Sequence, residues 1–315
     1  MSNHTILEDA ILEDTMREQT RSEQPQSKRR PVRTWALVSL IGIGLAAGAY
    51  LELASTPAPE QTQLGRQWSA DQQVPMDDID HSAFDSLLRK YVDDDGYVNY
   101  TAWKQSSEDQ NTLESYLSQL SRASTTKPSQ PNAQLAFWIN AYNALTLKGI
   151  LQVYPTSSIR NHTSRFGGYN IWKDLYLRVG DAEYSLNQME HQILRKMHEP
   201  RIHFAIVCAS VGCPRLKNEA YTAEDLDRQL VENATDFFSR SKNFQFDTAK
   251  HTIAVSSILK WFGSDFGETQ QDRFEFLKPY LPADARQLAV SPDTQVRYLT
   301  YDWNLNDQAH KPASE

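Results

Sequence analysis

Cysteine is scarce in this sequence, since Cys208 and Cys213 are the only two among 315 residues. Two cysteines cannot make a disulfide framework of the kind that stabilises small secreted domains, and they are too few for a four-cysteine zinc site. Four residues separate them. Three interpretations of the pair are therefore open, namely a disulfide, a chemical function or packing in the core.

The chain also lacks a basic surface. Its formal net charge is −8 at pH 7, and no stripe of Lys and Arg runs through residues 80–304. Binding to a nucleic-acid backbone depends on such a stripe, so we expect no nucleic-acid partner. We also expect no cofactor and no metal. A metal site built from His191, His203 and a cysteine is a third alternative, although these residues lack a recognised ligand spacing.

Long runs without charge are rare, and one occurs at residues 35–51, which read WALVSLIGIGLAAGAYL. Four basic residues precede it, namely Lys28, Arg29, Arg30 and Arg33. A run of this length predicts a transmembrane helix, and the basic residues keep its N-terminal side in the cytoplasm. We therefore expect a single-pass anchor in the inner membrane with the C-terminal domain in the periplasm. A cleaved signal peptide is the alternative interpretation.

These features divide the chain into five parts. In chain order we expect a polar cytoplasmic tail at 1–34, the transmembrane helix at 35–51, a flexible linker at 52–79, one globular domain at 80–304 and a disordered tail at 305–315. Hydrophobic residues make up 40% of the chain, which is enough to form a core in the domain.

The domain mixes helical and strand patterns. Gln134 to Leu151 is apolar on nearly every face and predicts a central buried helix, and Ser185 with Gln188 forms a capping box that starts another helix. The predicted strands are Ile202–Ala209, Phe244–Phe246, His251–Val255 and Val296–Tyr301. The expected class is α+β, with helices around a small, mostly antiparallel sheet.

Ionisable residues inside these apolar patterns are the candidates for chemistry. On the helix from Ser185, Glu190 falls inside the apolar stripe, whereas His191 falls outside it. A buried carboxylate is costly unless it is paired, so Glu190 needs a partner. That partner could belong to a catalytic site or to a purely structural ion pair or hydrogen bond. Asn140 on the central helix likewise either holds a neighbouring loop or lines a site.

The segment RIHFAIVCASVGCP contains both cysteines and one histidine. Read as a strand, it points His203 away from Cys208, while the turn before Cys213 could fold that thiol back toward His203. An imidazole beside a thiol favours the thiolate, and a third group is needed to orient the imidazole. We therefore expect a site of Cys213, His203 and Glu190, with Asn140 as an alternative orienting group or oxyanion donor.

The same residues resemble a known family. The blocks FWINAYNALTLKGI, LNQMEHQILR, RIHFAIVCASVGCPRL, AYTAEDLDRQL and YDWNLN resemble, in this order and over about residues 80–304, the domain-of-unknown-function family 547. Bacterial members are similar to this chain in having both cysteines, a histidine at the position of His203 and the Glu190–His191 pair, whereas plant relatives often lack the cysteines. The resemblance implies a bacterial, membrane-attached protein. It also implies a relationship to papain-like thiol hydrolases, although His203 precedes both cysteines, so the papain-like layout would have to be permuted.

The leading functional hypothesis is therefore a periplasmic thiol-dependent hydrolase, a candidate cysteine peptidase or amidase that acts on a small peptide or amide substrate. Cys213 would be the nucleophile and His203 the general base, with Glu190 orienting His203 and Asn140 binding the oxyanion. Cys208 is the alternative nucleophile and His191 the alternative base. The competing hypothesis is a non-catalytic cell-envelope binding or scaffold module in which Cys208 and Cys213 form a disulfide.

Overall fold

A computed structural model describes residues 62–164 and 169–312. All of them lie in the compact unit that begins at residue 61. The α+β class predicted from the sequence is confirmed, because these residues form α-helices together with two small sheets.

A long buried helix forms the centre of the fold. In chain order the first helices are α1 Ser82–Tyr91, α2 Tyr100–Gln105, α3 Ser107–Leu120 and α4 Pro131–Val153. Helix α4 begins with a proline in its first turn and is buried along nearly its whole length. At Gly149 an added Cβ would lie 2.7 Å from a methyl group of Leu175, so the glycine lets that side chain pack closely on α4. The predicted buried helix is therefore confirmed.

The strands form two small mixed sheets. The first contains β1 Thr62–Leu64, β2 Leu175–Val179 and β3 Ala182–Ser185, in that order, with β1 parallel and β3 antiparallel to β2. The second contains β4 Phe244–Asp247, β5 Thr252–Ser256 and β6 Gln295–Leu299, with β4 antiparallel and β6 parallel to β5. The single, mostly antiparallel sheet expected from the sequence is thus corrected, since each sheet has one parallel pair that joins distant parts of the chain.

Shorter helices follow α4 in the chain. They are α5 Ile171–Asp174, α6 Leu186–Gln188, α7 Leu226–Ser239, α8 Ile258–Trp261, α9 Gly263–Phe266, α10 Gln270–Leu277 and α11 Arg286–Ala289. The capping box at Ser185 starts α6 as predicted. A π-helix, Met189–Ile193, continues directly from α6 and carries Glu190 and His191. Such local widening of a helix often accompanies functional residues.

Short 3₁₀-helices connect these elements. They are Met76–Asp78, Ile159–His162, Leu194–Met197, Pro200–Phe204, Lys278–Tyr280, Ala283–Ala285 and Gln308–His310.

The predicted ends of the globular domain also need correction. The segment assigned to the linker contributes β1, and the backbone N–H of Val74 in the same segment donates to the carbonyl of Arg122 at 3.0 Å. At the other end, Leu305 and Asp307 of the predicted tail are buried. The fold therefore extends beyond residues 80–304 on both sides.

The fold class as expected from the sequence also included a membrane helix, and here the structure differs. None of the helices within residues 62–164 and 169–312 is long and apolar enough to cross a membrane. The transmembrane helix predicted at 35–51 lies outside these residues. The structure thus contains the α+β part of the expected architecture and no membrane-spanning helix within the described ranges.

Candidate active site at the cysteine pair

The chain that carries the cysteines is held by a buried amide rather than by a sheet. The strand predicted at Ile202–Ala209 does not form, since Pro200–Phe204 is a 3₁₀-helix and irregular chain follows it. Asn143 of α4 donates to the carbonyl of Ala205 at 3.0 Å and accepts from the N–H of Val207 at 3.0 Å. One side chain thereby satisfies two backbone groups that a sheet would otherwise pair. This contact fixes the backbone as it enters Cys208.

A second segment, distant in sequence, pairs with the cysteine loop from the other side. The N–H groups of Val211 and Gly212 donate to the carbonyls of Asn304 and Asp302, both at 2.8 Å. A Cβ at Gly212 would lie 2.9 Å from the Asp302 nitrogen and 3.0 Å from the ring of Tyr301, so glycine is needed for this approach. The pairing explains the YDWNLN block at residues 301–306, because this segment brings Tyr301 to the thiols.

The two thiols, a serine and a tyrosine form one group, which we call the thiol cluster (Cys208, Ser210, Cys213 and Tyr301). The two Sγ atoms are 2.7 Å apart and the cysteines are free rather than joined. The hydroxyl of Tyr301 donates to Cys213 Sγ at 3.0 Å, and Ser210 Oγ donates to it at 3.4 Å. The backbone N–H of Cys208 donates to the same sulfur at 3.1 Å. Cys213 is 6% exposed, whereas Cys208 is half-buried.

These hydrogen bonds give the two cysteines different pKa values. Burial alone raises the pKa of Cys213, but the hydrogen bonds from Cys208, Ser210 and Tyr301 outweigh it and lower that pKa to about 6. The pKa of Cys208 is raised well above its ordinary value by its hydrogen bond to Cys213, by burial and by the neighbouring charge. The pair therefore holds one proton between two sulfurs near neutral pH and titrates as a unit. This is the arrangement of an activated thiolate beside a thiol.

Glu190 lies beside the thiol cluster through a tyrosine. The buried Tyr142 of α4 donates its hydroxyl hydrogen to Glu190 Oε2 at 3.2 Å. Burial raises the pKa of Tyr142 first, and the negative charges of Glu190, Cys208 and Cys213 raise it further. The phenol thus stays protonated and remains a hydrogen-bond donor. The partner that Glu190 requires is therefore Tyr142.

The two candidate histidines lie in a separate group, which we call the imidazole cluster (His191, Arg195, His203 and Asp265). Nε2 of His203 donates to Asp265 Oδ2 at 2.8 Å, and its ring stacks on Phe262 at a centroid distance of 4.3 Å. Arg195 donates to both Asp265 oxygens at 2.7 Å and to His191 Nδ1 at 3.1 Å. Asp265, which the sequence did not indicate, therefore orients His203.

The structure thus brings together only part of the site predicted from the sequence. Within residues 62–164 and 169–312 no hydrogen bond joins either cysteine to His191 or His203. Trp261 contacts Tyr301 of the thiol cluster at 4.9 Å between ring centroids, while the next residue, Phe262, stacks on His203. Consecutive residues at the end of α8 therefore contact the two different clusters.

Asn140 has a structural contact rather than a position at the sulfurs. Its amide donates to the carbonyl of Tyr221 at 2.8 Å and accepts from the N–H of Tyr221 at 2.9 Å. Its carbonyl oxygen and one of its two N–H hydrogens are thus engaged by one backbone residue, and the side chain is fully buried. The alternative in which Asn140 holds a neighbouring loop matches this geometry.

Three residues in or beside these clusters had signals in the sequence that the prediction did not use. Tyr301 begins the YDWNLN block, Tyr142 lies in the FWINAYNALTLKGI block and Ser210 lies between the two cysteines. Asp265 had no such signal, because 62 residues separate it from His203. Among the described residues no group of three or more His, Cys, Asp or Glu could hold a metal ion.

Comparison with known protein families gives a match to part of the sequence. The model of the family described as "Protein of unknown function, DUF547" matches residues 126–238. We call this matched stretch the DUF547 segment. Comparison with curated proteins and with solved structures gives no match. The resemblance predicted from the sequence blocks is thereby confirmed over this segment.

The DUF547 segment contains α4, Glu190, His203 and both cysteines, but neither Tyr301 nor Asp265. Each cluster thus combines residues of the DUF547 segment with one residue that follows it. The comparisons give no support for a papain-like layout, which would also require a cysteine paired with a histidine.

Proposed function

We propose that this protein is a dithiol enzyme that exchanges disulfides with a cysteine-containing peptide substrate through Cys208 and Cys213. One observation carries the proposal, namely two free sulfurs 2.7 Å apart that share a proton, with the pKa of Cys213 lowered to about 6. Thiol–disulfide exchange needs a thiolate and a neighbouring thiol, and it needs no imidazole. The donors to Cys213 supply the thiolate without one.

The exposure of the sulfurs assigns their roles. Cys208 is the more accessible, so after its proton passes to Cys213 it attacks one sulfur of a substrate disulfide RS–SR′. A Cys208–SR bond forms, and R′S⁻ leaves and takes up a proton. Cys213 then loses its proton to the solvent and attacks Cys208 Sγ, which gives the Cys208–Cys213 disulfide and releases RSH. Two electrons pass from the pair to the substrate, and the reverse sequence oxidises a substrate dithiol.

Variants of the two cysteines test this proposal with glutathione disulfide as the probe. The reduced protein should form the intramolecular disulfide, lose two hydrogens by mass and release two molecules of glutathione. Cys213→Ser should stop at a mixed disulfide on Cys208, because no resolving thiolate remains. Cys208→Ser should react far more slowly, because the remaining sulfur is buried. Dithiol exchange is refuted if the wild-type protein stays reduced, or if Cys208→Ser forms the mixed disulfide as fast as Cys213→Ser.

The hydrolase hypothesis remains the second proposal, and the contact between Tyr142 and Glu190 favours it. In this version Cys213 attacks the carbonyl carbon of a peptide or amide bond, the amine leaves with a proton, and water hydrolyses the thioester. Glu190 beside the thiols is a carboxylate that can accept the proton of that water. His203 has no part in this scheme, because Asp265 holds it in the other cluster.

A library of fluorogenic peptide amides separates the two proposals. Hydrolysis predicts turnover that survives Cys208→Ser and is abolished by Cys213→Ser and by Glu190→Gln. Disulfide exchange predicts no turnover of amides by any of these proteins. If the thiols react neither with glutathione disulfide nor with amides, the non-catalytic module is the correct description of the pair. The periplasmic location and the membrane partner expected from the sequence stay predictions.

A further inference from the structure

Three tryptophans from separate parts of the chain meet beside the thiol cluster. Trp303 lies between the other two, at ring-centroid distances of 6.3 Å from Trp172 and 5.8 Å from Trp261. All three are half-buried, so part of each indole faces solvent. Half-exposed tryptophans grouped in this way are typical of binding surfaces, because an indole offers a large apolar area and a single donor. We call this group, together with Arg160, the tryptophan surface.

The tryptophan surface is continuous with the reactive sulfurs. The ring of Tyr301 lies 4.6 Å from Trp303 and 4.9 Å from Trp261 between centroids, while its hydroxyl donates to Cys213 Sγ. Tyr301 therefore belongs to both groups. A ligand that lies on the indoles has its reacting atom within a few side-chain lengths of the thiols.

The backbone holds this surface firmly. Ser158 Oγ donates to the carbonyl of Trp303 at 2.6 Å, and the side chain of Asn170 accepts from the N–H of Trp172 at 3.0 Å. Preorganised side chains lose little freedom on binding, which favours recognition.

The polar groups of the surface indicate the charge of its ligand. The guanidinium of Arg160 lies 5.2 Å from the centroid of the Trp303 ring, and it has no carboxylate or hydrogen-bond acceptor within the described parts of the chain. Other half-buried arginines are paired, as Arg201 is with Glu199. A guanidinium like that of Arg160 favours a ligand that supplies oxygen acceptors, above all a carboxylate.

We propose that the tryptophan surface binds an acidic peptide segment that carries the substrate cysteine, with a carboxylate on Arg160 and an apolar side chain against the indoles. This inference rests on the proposed disulfide exchange, because the peptide is the substrate of that reaction. A neutral sugar would also stack on tryptophan, but it would leave the guanidinium of Arg160 without a counter-charge. The unpaired cation therefore favours the acidic peptide.

A second concave region of the fold would not accept the same ligand. It is a cavity of about 480 Å³ below the start of α4, and every charged side chain that lines it is acidic, namely Asp77, Asp80, Asp85 and Glu224. These carboxylates would repel an acidic peptide. The tryptophan surface therefore has the charge that suits an anionic substrate, and the cavity has the opposite one.

Matched peptides test the inference. Two probes carry the sequence Glu-Phe-Cys or Gln-Phe-Cys, each joined by a disulfide to a fluorescent thiol, and the rate of thiol release is measured with the reduced protein. The wild-type protein should react about tenfold faster with the Glu probe, which is the usual worth of one charge-assisted hydrogen bond. Arg160→Gln should abolish the preference. Arg66→Gln is the control, because that guanidinium lies 3.5 Å from the centroid of another indole, Trp68, outside the surface.

Two further measurements separate failure of the inference from failure of the proposed function. Hydroxyethyl disulfide, which is small and neutral, should react with the wild-type protein; the absence of any reaction would refute disulfide exchange itself. The peptide Glu-Phe-Ser, which cannot react, should bind the wild-type protein and lose about tenfold in affinity with Arg160→Gln. If hydroxyethyl disulfide reacts but the wild-type protein treats the Glu and Gln probes alike, the tryptophan surface is not the peptide site.

Discussion

The thiol cluster and the imidazole cluster each stabilise a negative charge, but they do so with different kinds of partner. In the thiol cluster, neutral donors surround a sulfur whose pKa is lowered to about 6, and no cationic side chain hydrogen-bonds to either thiol within the described residues. In the imidazole cluster, the carboxylate of Asp265 accepts hydrogen bonds from two groups, the guanidinium of Arg195 and the ring of His203. Hydrogen bonds from neutral groups thus adjust one site, and ion pairing holds the other together.

The difference indicates what each cluster does. A charge held by an ion pair is fixed and contributes to stability, because removal of either partner leaves a buried charge uncompensated. A charge held by hydroxyl and backbone donors can form and disappear during a reaction at little cost. We therefore expect changes in the imidazole cluster to alter folding, and changes in the thiol cluster to alter reactivity.

The largest expected effect follows from Asp265→Asn. This change removes the buried carboxylate that Arg195 and His203 share, and it should lower the free energy of unfolding by about 3 kcal/mol. Urea denaturation measures it. The exposed ion pair of Asp225 and Arg228 provides the control, since Asp225→Asn should cost less than about 0.5 kcal/mol. The pH profile of thiol alkylation should be unchanged; a shifted profile would mean that the clusters are coupled.

A pH dependence of stability follows from the same carboxylate. Burial raises the pKa of Asp265, but hydrogen bonds from Arg195 and His203 outweigh it and hold that pKa well below its ordinary value. The pKa of this carboxyl is about 4 in the unfolded state and lower in the folded state. The ionised carboxylate therefore stabilises the fold at pH values above about 4, and this contribution is lost as the pH falls toward the folded pKa. Stability should therefore decline below about pH 4. Asp265→Asn should flatten this decline, and an equally steep one would contradict the assignment.

A smaller, chemical effect is expected for Tyr301→Phe. The ring and its contacts remain, but Cys213 loses one hydroxyl donor, so its pKa should rise by about one unit. Iodoacetamide alkylation from pH 5 to 9, read for each cysteine by mass spectrometry, measures the shift. Tyr116→Phe is the matched control, since that hydroxyl contacts His81 rather than a sulfur. An equal shift in both variants would show that Tyr301 does not stabilise the thiolate.

The smallest expected effect concerns the backbone between the cysteines. Ala209 has a φ of +58°, a conformation that glycine adopts without the strain of a Cβ. Ala209→Gly should therefore raise the free energy of unfolding by up to about 1 kcal/mol and leave the pKa of Cys213 unchanged. Ala205→Gly, at an ordinary negative φ of −118°, should lower stability instead. A loss of stability in both variants would mean that the positive φ stores no strain.

Local patterns predicted the helices well. Apolar residues on every face of Gln134–Leu151 and the capping box at Ser185 are signals within one element, and both appear in the structure as expected. The segment from Ile202 was misread because its apolar residues are buried without a sheet. The alternating apolar residues suggested that neighbouring strands would pair with this backbone. In the structure the side chain of Asn143 makes those hydrogen bonds.

The site was harder to predict because its contacts are distant in sequence. The sequence predicted chemistry at the cysteines, but Tyr301 lies 88 positions after Cys213, and no periodic pattern links them. The pairing of His203 with Cys213 was inferred from the direction of a strand that does not form. Its partner Asp265 lies on a short helix, α9, whose position depends on the whole second half of the fold.

The pairing of residues 301–306 with the cysteine loop has a consequence for the timing of reactivity. Tyr301 is one of the donors that lower the pKa of Cys213, so in a molecule in which that segment has separated the pKa moves back toward that of an ordinary thiol. The pKa of Cys213 therefore depends on whether two distant parts of the polypeptide are in contact.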